Sequence, residues 1–267
     1  MSQRTVAVCG SGDTLVSDVH TSADGHTFVG QLRNGRPSGQ GIHRLPDGGT
    51  YEGQWKNGAK HGAGIAVRAN GCMYNGQWVG GCKHGIGTQI SIDGSMFVGN
   101  WIHNKAHGYG THVSANESSY EGQWEVSLKH GTGTFTSHTG RTYRGQWQGD
   151  RKHGEGTQVS ADGSTYEGQW SCGMKNDKGI QVLADGTTYD GYWSRGMKKG
   201  QGRQVSADGS SYEGQWHQDL KHGKGRQVSV DGTSVEGQWY NGHSCNDILP
   251  PSDIDEDTED DTPRTIL

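Results

Sequence analysis

Histidine is the residue whose spacing first suggests chemistry. It recurs at 61, 84, 107, 130, 153 and 222, at steps of 23 residues or a multiple of 23. Zinc would need its ligand atoms at about 2.0–2.1 Å from one point. If the period is built from strand pairs, successive histidines lie about 9–10 Å apart. They cannot share a metal, and no cysteine recurs beside them. Gly10-Ser11-Gly12 and the recurring Gly-x-Gly pairs superficially resemble a phosphate loop. Such a loop must open a helix whose N-terminus holds the anion, and no helical period follows any of them. Glu52, Glu121, Glu167 and Glu213 also recur at one position, so no single carboxylate is set apart as an acid or base. No catalytic residue, metal site or cofactor is expected, and the chain does not read as an enzyme.

The most informative charged feature is a lysine row. Lys60, Lys83, Lys129, Lys152, Lys175, Lys198 and Lys221 each stand five residues after a tryptophan, and Lys105 is offset by one. Read as a loop position, they form one long cationic edge, opposite an edge of recurring aspartates. Such an edge protects the sheet and aids solubility. It could equally hold an acidic protein partner, the chain's own acidic tail or an anionic membrane, where each lysine contributes about 1 kcal/mol.

The elements that must position these residues follow from the period itself. All nine tryptophans fall on one frame: 55, 78, 101, 124, 147, 170, 193, 216 and 239. Around each runs a pattern such as Tyr51-Glu52-Gly53-Gln54-Trp55, with aromatic and polar residues alternating. Period two is a strand with one aromatic and one polar face. Gly62 and Gly64 open a second strand, read as Ile65 to Ala69, after a loop from Lys56 to His61. Asn70-Gly71, more often Asp-Gly as at Asp93, Asp162, Asp185, Asp208 and Asp231, joins the repeats. Asx-Gly between strands signals a two-residue hairpin turn. Each repeat is therefore expected to be one β-hairpin, about 9–10 Å wide. An isolated hairpin is marginal in water, so lateral stacking must supply the burial.

Composition agrees only when position is considered. Apolar residues are 29%, and 47 residues are glycine, which alone would suggest disorder. Nine tryptophans and ten tyrosines argue against it. Net charge is −5, but residues 250–267 alone carry seven acids against Arg264, so the body is nearly neutral. A near-neutral body without an arginine-rich patch excludes nucleic acid as a partner. Five unpatterned cysteines fit a reducing compartment. With no signal-peptide core and no run of about 18 apolar residues, the chain reads as soluble and cytoplasmic.

The pattern Tyr-x-Gly-x-Trp-x-x-Gly-x-x-His-Gly-x-Gly, closed by Asp-Gly, resembles the MORN repeat (membrane occupation and recognition nexus). Tyr51, Gly53, Trp55, Gly58, His61, Gly62, Gly64 and Asn70-Gly71 carry it in one repeat. The resemblance implies an all-β fold: an elongated single-sheet antiparallel meander of stacked 23-residue hairpins, twisted and curled into a trough. It covers 28–245. Residues 5–27, with Thr5, Ala7 and Cys9 on the frame, read as a degenerate cap within 1–27, and 246–267 as a disordered acidic tail. The resemblance also implies a non-catalytic scaffold in a cytoskeletal, ciliary or axonemal assembly, with a membrane-associated tether binding phosphoinositides through the lysines as the alternative. The expected partner-binding trough is lined by Tyr51, Trp55, Tyr74, Trp78, Trp101, Tyr120, Trp124, Tyr143, Trp147, Tyr166, Trp170, Tyr189, Trp193, Tyr212 and Trp216. A protein helix or peptide would lie there, and a homodimer stays open. Departures at Asn104, Ser127, Asn116-Glu117, Asn176-Asp177 and Lys199 put regular stacking in doubt near 104–127 and 176–199.

Overall fold

A computed structural model describes residues 5–7 and 15–245, with side chains from residue 18 onward. The acidic tail, Cys9 and Gly10-Ser11-Gly12 lie outside the described residues. The described chain is one antiparallel sheet of 22 strands, each paired with the next in sequence. Thr5–Ala7 starts the meander by pairing with Leu15–Thr21, and the last pairing joins Ser234–Tyr240 to His243–Ser244. The two end strands pair with no second neighbour among the described residues, so the sheet is open.

A repeat contributes a seven-residue strand and a nine-residue strand, such as Thr50–Lys56 and Ala59–Val67. The two turn types are the reverse of the sequence expectation. The two-residue turn is Asn57-Gly58, with both φ positive at 52° and 86°, the type I′ geometry that matches strand twist. Asn70-Gly71 instead belongs to a five-residue connection. There Gly71 N–H donates to the Arg68 carbonyl at 2.9 Å and Arg68 N–H to the Cys72 carbonyl at 2.8 Å. This is a type I turn followed by a left-handed glycine, in which only Gly71 needs positive φ, 84° here. The Asn70 side chain closes the turn by accepting from Cys72 N–H at 3.1 Å. Both turns answer to Asx-Gly, so the dipeptide alone does not tell them apart.

The second strand also begins six residues earlier than expected, because a bulge absorbs Lys60 and His61 into it. Gly53 pairs with Gly64 but Trp55 pairs with Lys60, so the register shifts between them. The bulge leaves the Ala63 N–H without a ladder partner, and the Gln54 side chain accepts it at 3.2 Å. Gln77, Gln123, Gln146 and Gln215 do the same in their own repeats.

The core is a single row of rings on one face. Each tyrosine lies across the facing glycine pair of its own hairpin; a Cβ on Gly64 would stand 2.3 Å from Tyr51 Oη. The Tyr51 hydroxyl donates to the Gln54 carbonyl at 2.9 Å. Trp78 reaches back one repeat and donates its indole N–H to the Gly64 carbonyl at 3.0 Å. Rings meet edge to face within and between repeats. From Phe28 to Trp239 the centroid separations are 5.0–5.5 Å without a break. Each such contact contributes about 0.5–1.5 kcal/mol beyond the area it buries.

The irregular repeats keep this stacking. Asn104 and Ser127 replace a turn glycine in left-handed geometry, with φ of 67° and 65°. Their side chains accept backbone N–H groups of the preceding repeat, Asn104 from Lys83 at 2.9 Å and Ser127 from Ala106 at 3.0 Å. Asp150 and Asp219 make the same bond to Lys129 and Lys198 at 2.9 and 2.8 Å. The substitution therefore adds a stitch between repeats. Asp177 takes the bulge glycine's conformation, φ 53°, and Tyr166 still meets Trp193 at 5.5 Å.

Placing a methyl group under a ring should destabilise far more than altering a turn. In Gly133→Ala the new Cβ would lie 2.3 Å from Tyr120 Oη, and the buried ring has nowhere to move. We expect a loss of about 1–3 kcal/mol in urea unfolding. Gly140→Asn, at a turn glycine with φ 83° and nothing within 4 Å, should change stability by less than about 0.5 kcal/mol.

Candidate interaction surface

The sheet has two unlike faces. On the ring face lie the tyrosines, tryptophans and glycine pairs; the other face carries Glu52, Gln54 and their equivalents. None of the fifteen aromatic residues expected to line a trough is more than 9% exposed, and Tyr51 is fully buried. They are brought together as one core, packed against each other. A partner resting on this face meets what lies above the rings.

What lies above them is the lysine row, and its placement corrects the sequence reading. Lys60 is not on a loop edge. It is the second residue of its strand and pairs with Trp55 on the ring face. Its Nζ stands 4.8 Å from the Tyr51 ring centroid and 4.9 Å from that of Trp78, one repeat on. Lys83, Lys129, Lys152, Lys175, Lys198 and Lys221 repeat the arrangement, with Nζ 4.3–5.5 Å from a Tyr and a Trp centroid. The cause is the two-residue turn: it is so short that the fifth residue after tryptophan is already back in the sheet. Each ammonium thereby bridges two repeats by cation–π attraction. The lysine backbone joins them too, since the Lys60 carbonyl accepts from Gly81 N–H of the next turn at 2.9 Å.

Sequence reading missed the glutamines that complete this layer. Gln89, Gln158, Gln204 and Gln227 stand six residues after a lysine. Lys83 and Lys152 hydrogen-bond Gln89 and Gln158, and Lys198 and Lys221 donate to Gln204 and Gln227 at 2.5 and 2.6 Å. A spacing of six keeps both on one face once the lysine is inside the strand, which only the shortness of the turn shows. Burial pushes the ammonium pKa values down, to about 8 for Lys83, Lys152 and Lys175. Burial pushes the Tyr51, Tyr74 and Tyr212 hydroxyls up to about 12.

Between the first repeats the ring face holds a groove of about 680 Å³. Lys60, Arg68 and Lys83 line it, with Gln89 and Asn104, against a single acid, Asp47. At the far edge the connections carry exposed aspartates. Hydrogen bonds from Ser95, Ser164, Ser210 and Thr233 hold the Asp93, Asp162, Asp208 and Asp231 carboxyls below the usual range. The recurring histidines sit at the bulges of their own repeats, with Asn176 and Lys199 at the equivalent positions. Among the described residues no three His, Cys, Asp or Glu side chains converge as a metal site would require. Cys72, Cys82, Cys172 and Cys245 are free thiols.

The MORN repeat model matches nine consecutive units, 28–50, 51–73, 74–96, 97–119, 120–140, 143–165, 166–188, 189–211 and 212–234. The chain belongs to the MORN-repeat family. The match is to a repeat unit and not to a catalytic domain. No curated protein matches the chain significantly in sequence. Among solved structures, this MORN array is similar to the SAS-4 (dCPAP) TCP domain of Drosophila melanogaster, solved with a proline-rich motif of Ana2. That likeness has 12% identity and a TM-score of 0.33, and covers 80% of this chain and 98% of that one. The E1021V mutant of the TCP10 domain of Danio rerio CPAP is similar at 13% identity and a TM-score of 0.36, covering 88% of this chain and 99% of that one.

The lysine and tyrosine shifts give stability a pH profile with two limbs. Between about pH 8 and 10.5 the unfolded lysines hold protons that the folded ones have released, so stability should rise with pH. Above about pH 10 the folded tyrosines retain protons that the unfolded ones lose, so stability should fall. Urea midpoints at pH 7.5, 9.5 and 11 check both limbs, and Lys152→Met should flatten the first.

Proposed function

We propose that this MORN array is a protein-binding scaffold whose recognition surface is the lysine-topped ring face. A scaffold of this kind sets distance by repeat number and presents one motif many times. The observation that supports it is the groove at Lys60, Arg68 and Lys83, where three cations face one acid over a rigid aromatic floor. The fitting partner is an acidic helix or extended peptide that reaches down to the ammonium groups. Because the lysines stand in the strands, over the rings, a narrow acidic segment reaches them better than a flat anionic leaflet does. A place in a cytoskeletal or ciliary assembly accords with the family resemblance and rests on that analogy alone.

A helical peptide with glutamates on one face, its glutamine counterpart and phosphoinositide vesicles form the test set. The acidic peptide should bind at low salt and weaken steeply as salt is raised. The Lys60→Met, Lys83→Met double variant should bind it at least about tenfold more weakly, a difference of about 1.4 kcal/mol. Equal binding of both peptides, or none, would contradict the proposal. Vesicle binding without peptide binding would instead favour a membrane tether.

A further inference from the structure

The ring face supplies the core, and among the described residues no second layer covers the opposite face. Toward the C-terminal end of the array that face is charged. Asp190, Arg203, Glu213, Arg226 and Glu236 are consecutive partners across five strands, and Arg203 approaches Glu213 at 3.9 Å. The same row changes character nearer the N-terminus, where Ile65, Asn75, Thr88 and Val98 follow one another across paired strands. The five strands from Ala59–Val67 to Lys105–Val113 contain no Asp, Glu or Arg. Two of their three lysines, Lys60 and Lys83, are over rings on the other face; the third, Lys105, alternates with core residue Ala106 and pairs with Ile102 at the border of this face. In place of charge stand Ile86 at 65% exposure, Tyr109 at 54%, Val79 at 49%, Ile102 at 41%, and Ile65 and Val98 at 39%. None belongs to the repeat motif, and all alternate with the core residues, so they share one face.

We infer that this apolar back face, from strand Ala59–Val67 to strand Lys105–Val113, is where two copies of the chain pack sheet against sheet. The patch carries charge only at its last strand, where Lys105 stands opposite Ile102 and the Tyr109 hydroxyl donates to Glu121 at 3.2 Å, so its centre can be placed on itself, as an isologous contact requires, without bringing like charges together. Sheets with apolar faces pack at about 10 Å with side chains interdigitated. Five strands at ~4.8 Å spacing, each seven to nine residues long, present on the order of 600 Å² per copy. Two copies then bury about 1,200 Å², the lower bound for a specific, stable interface. The charged remainder of each back face lies outside the overlap, which fixes where along the array the copies meet. The contact leaves both ring faces outward, so the dimer would double the groove described above without depending on what fills it.

Sedimentation velocity of the full chain over a wide concentration range, at low salt and at 0.5 M salt, tests this. A reversible dimer should appear and persist in high salt, because apolar burial is not screened. Ile86→Asp and Val98→Asp should each weaken dimerisation at least about tenfold, while near-UV circular dichroism shows the ring ladder intact. Ile86→Ser is a milder second variant should the aspartate perturb folding. Thr134→Asp, on the same face beyond the patch, should leave dimerisation unchanged. A monomer at every concentration, a dimer indifferent to Ile86 and Val98, or a dimer dissolved by salt would each overturn the inference. The last would point to the lysine face and the acidic tail.

Discussion

An aromatic ring laid across a pair of facing glycines is the contact on which every other part of this array depends. Tyr51 occupies the space that side chains on Gly53 and Gly64 would need, and its hydroxyl ties down the carbonyl of the bulge beside it. The next tryptophan closes the seam by bonding the Gly64 carbonyl. Each hairpin thus cannot finish its own core; the ring that completes it comes from the following repeat. That dependence makes the array one-dimensional, with stability supplied by nearest-neighbour contacts. It also explains how a chain with 29% apolar residues folds. The rings are few, but all of them are in one row.

Much of this was legible in the residues. Nine tryptophans on one frame fixed the period, and Tyr-x-Gly-x-Trp showed which side chains share a face. What failed to appear was local. A register shift of two residues between Trp55 and Gly53 moves Lys60 from an apparent loop onto the ring face. An even shift leaves the alternation of faces intact; what hides the lysine is the apparent length of the loop, because Asn57-Gly58 alone makes the turn and Lys56 to His61 looks like one polar connection. The turn types were exchanged because Asn57-Gly58 and Asn70-Gly71 look alike in composition, although one is a complete two-residue turn and the other lies in a five-residue connection where the asparagine keeps negative φ. Asn104 and Ser127 looked like defects because their motif position is glycine. A left-handed backbone tolerates both, and a polar side chain there can reach the preceding strand.

The lysine row shows how one residue serves two ends. Its ammonium binds rings from two repeats, so it belongs to the core. Lys60 and Lys83 also line the groove on that face, so the row belongs to the surface as well. Desolvation and cation–π attraction act in opposite senses on its charge, which leaves a cation whose protonation a nearby acidic group can strengthen. The two faces then divide their work. The ring face combines structural rings with a charge pattern repeated at each step, and the back face varies along the array. Repetition suits length and multivalent display, whereas variation can mark one place as distinct.

The central claim is that the rings are the protein's own core and not a vacant aromatic groove. Hydrogen exchange at the tryptophan indole N–H groups tests it most directly. The indole N–H groups of Trp78, Trp101, Trp124 and Trp193 are buried and bonded to glycine carbonyls one repeat back, at 3.0 Å. They should be protected in the free protein as strongly as the strand amides around them. Exchange at the rate of a free indole would contradict the account.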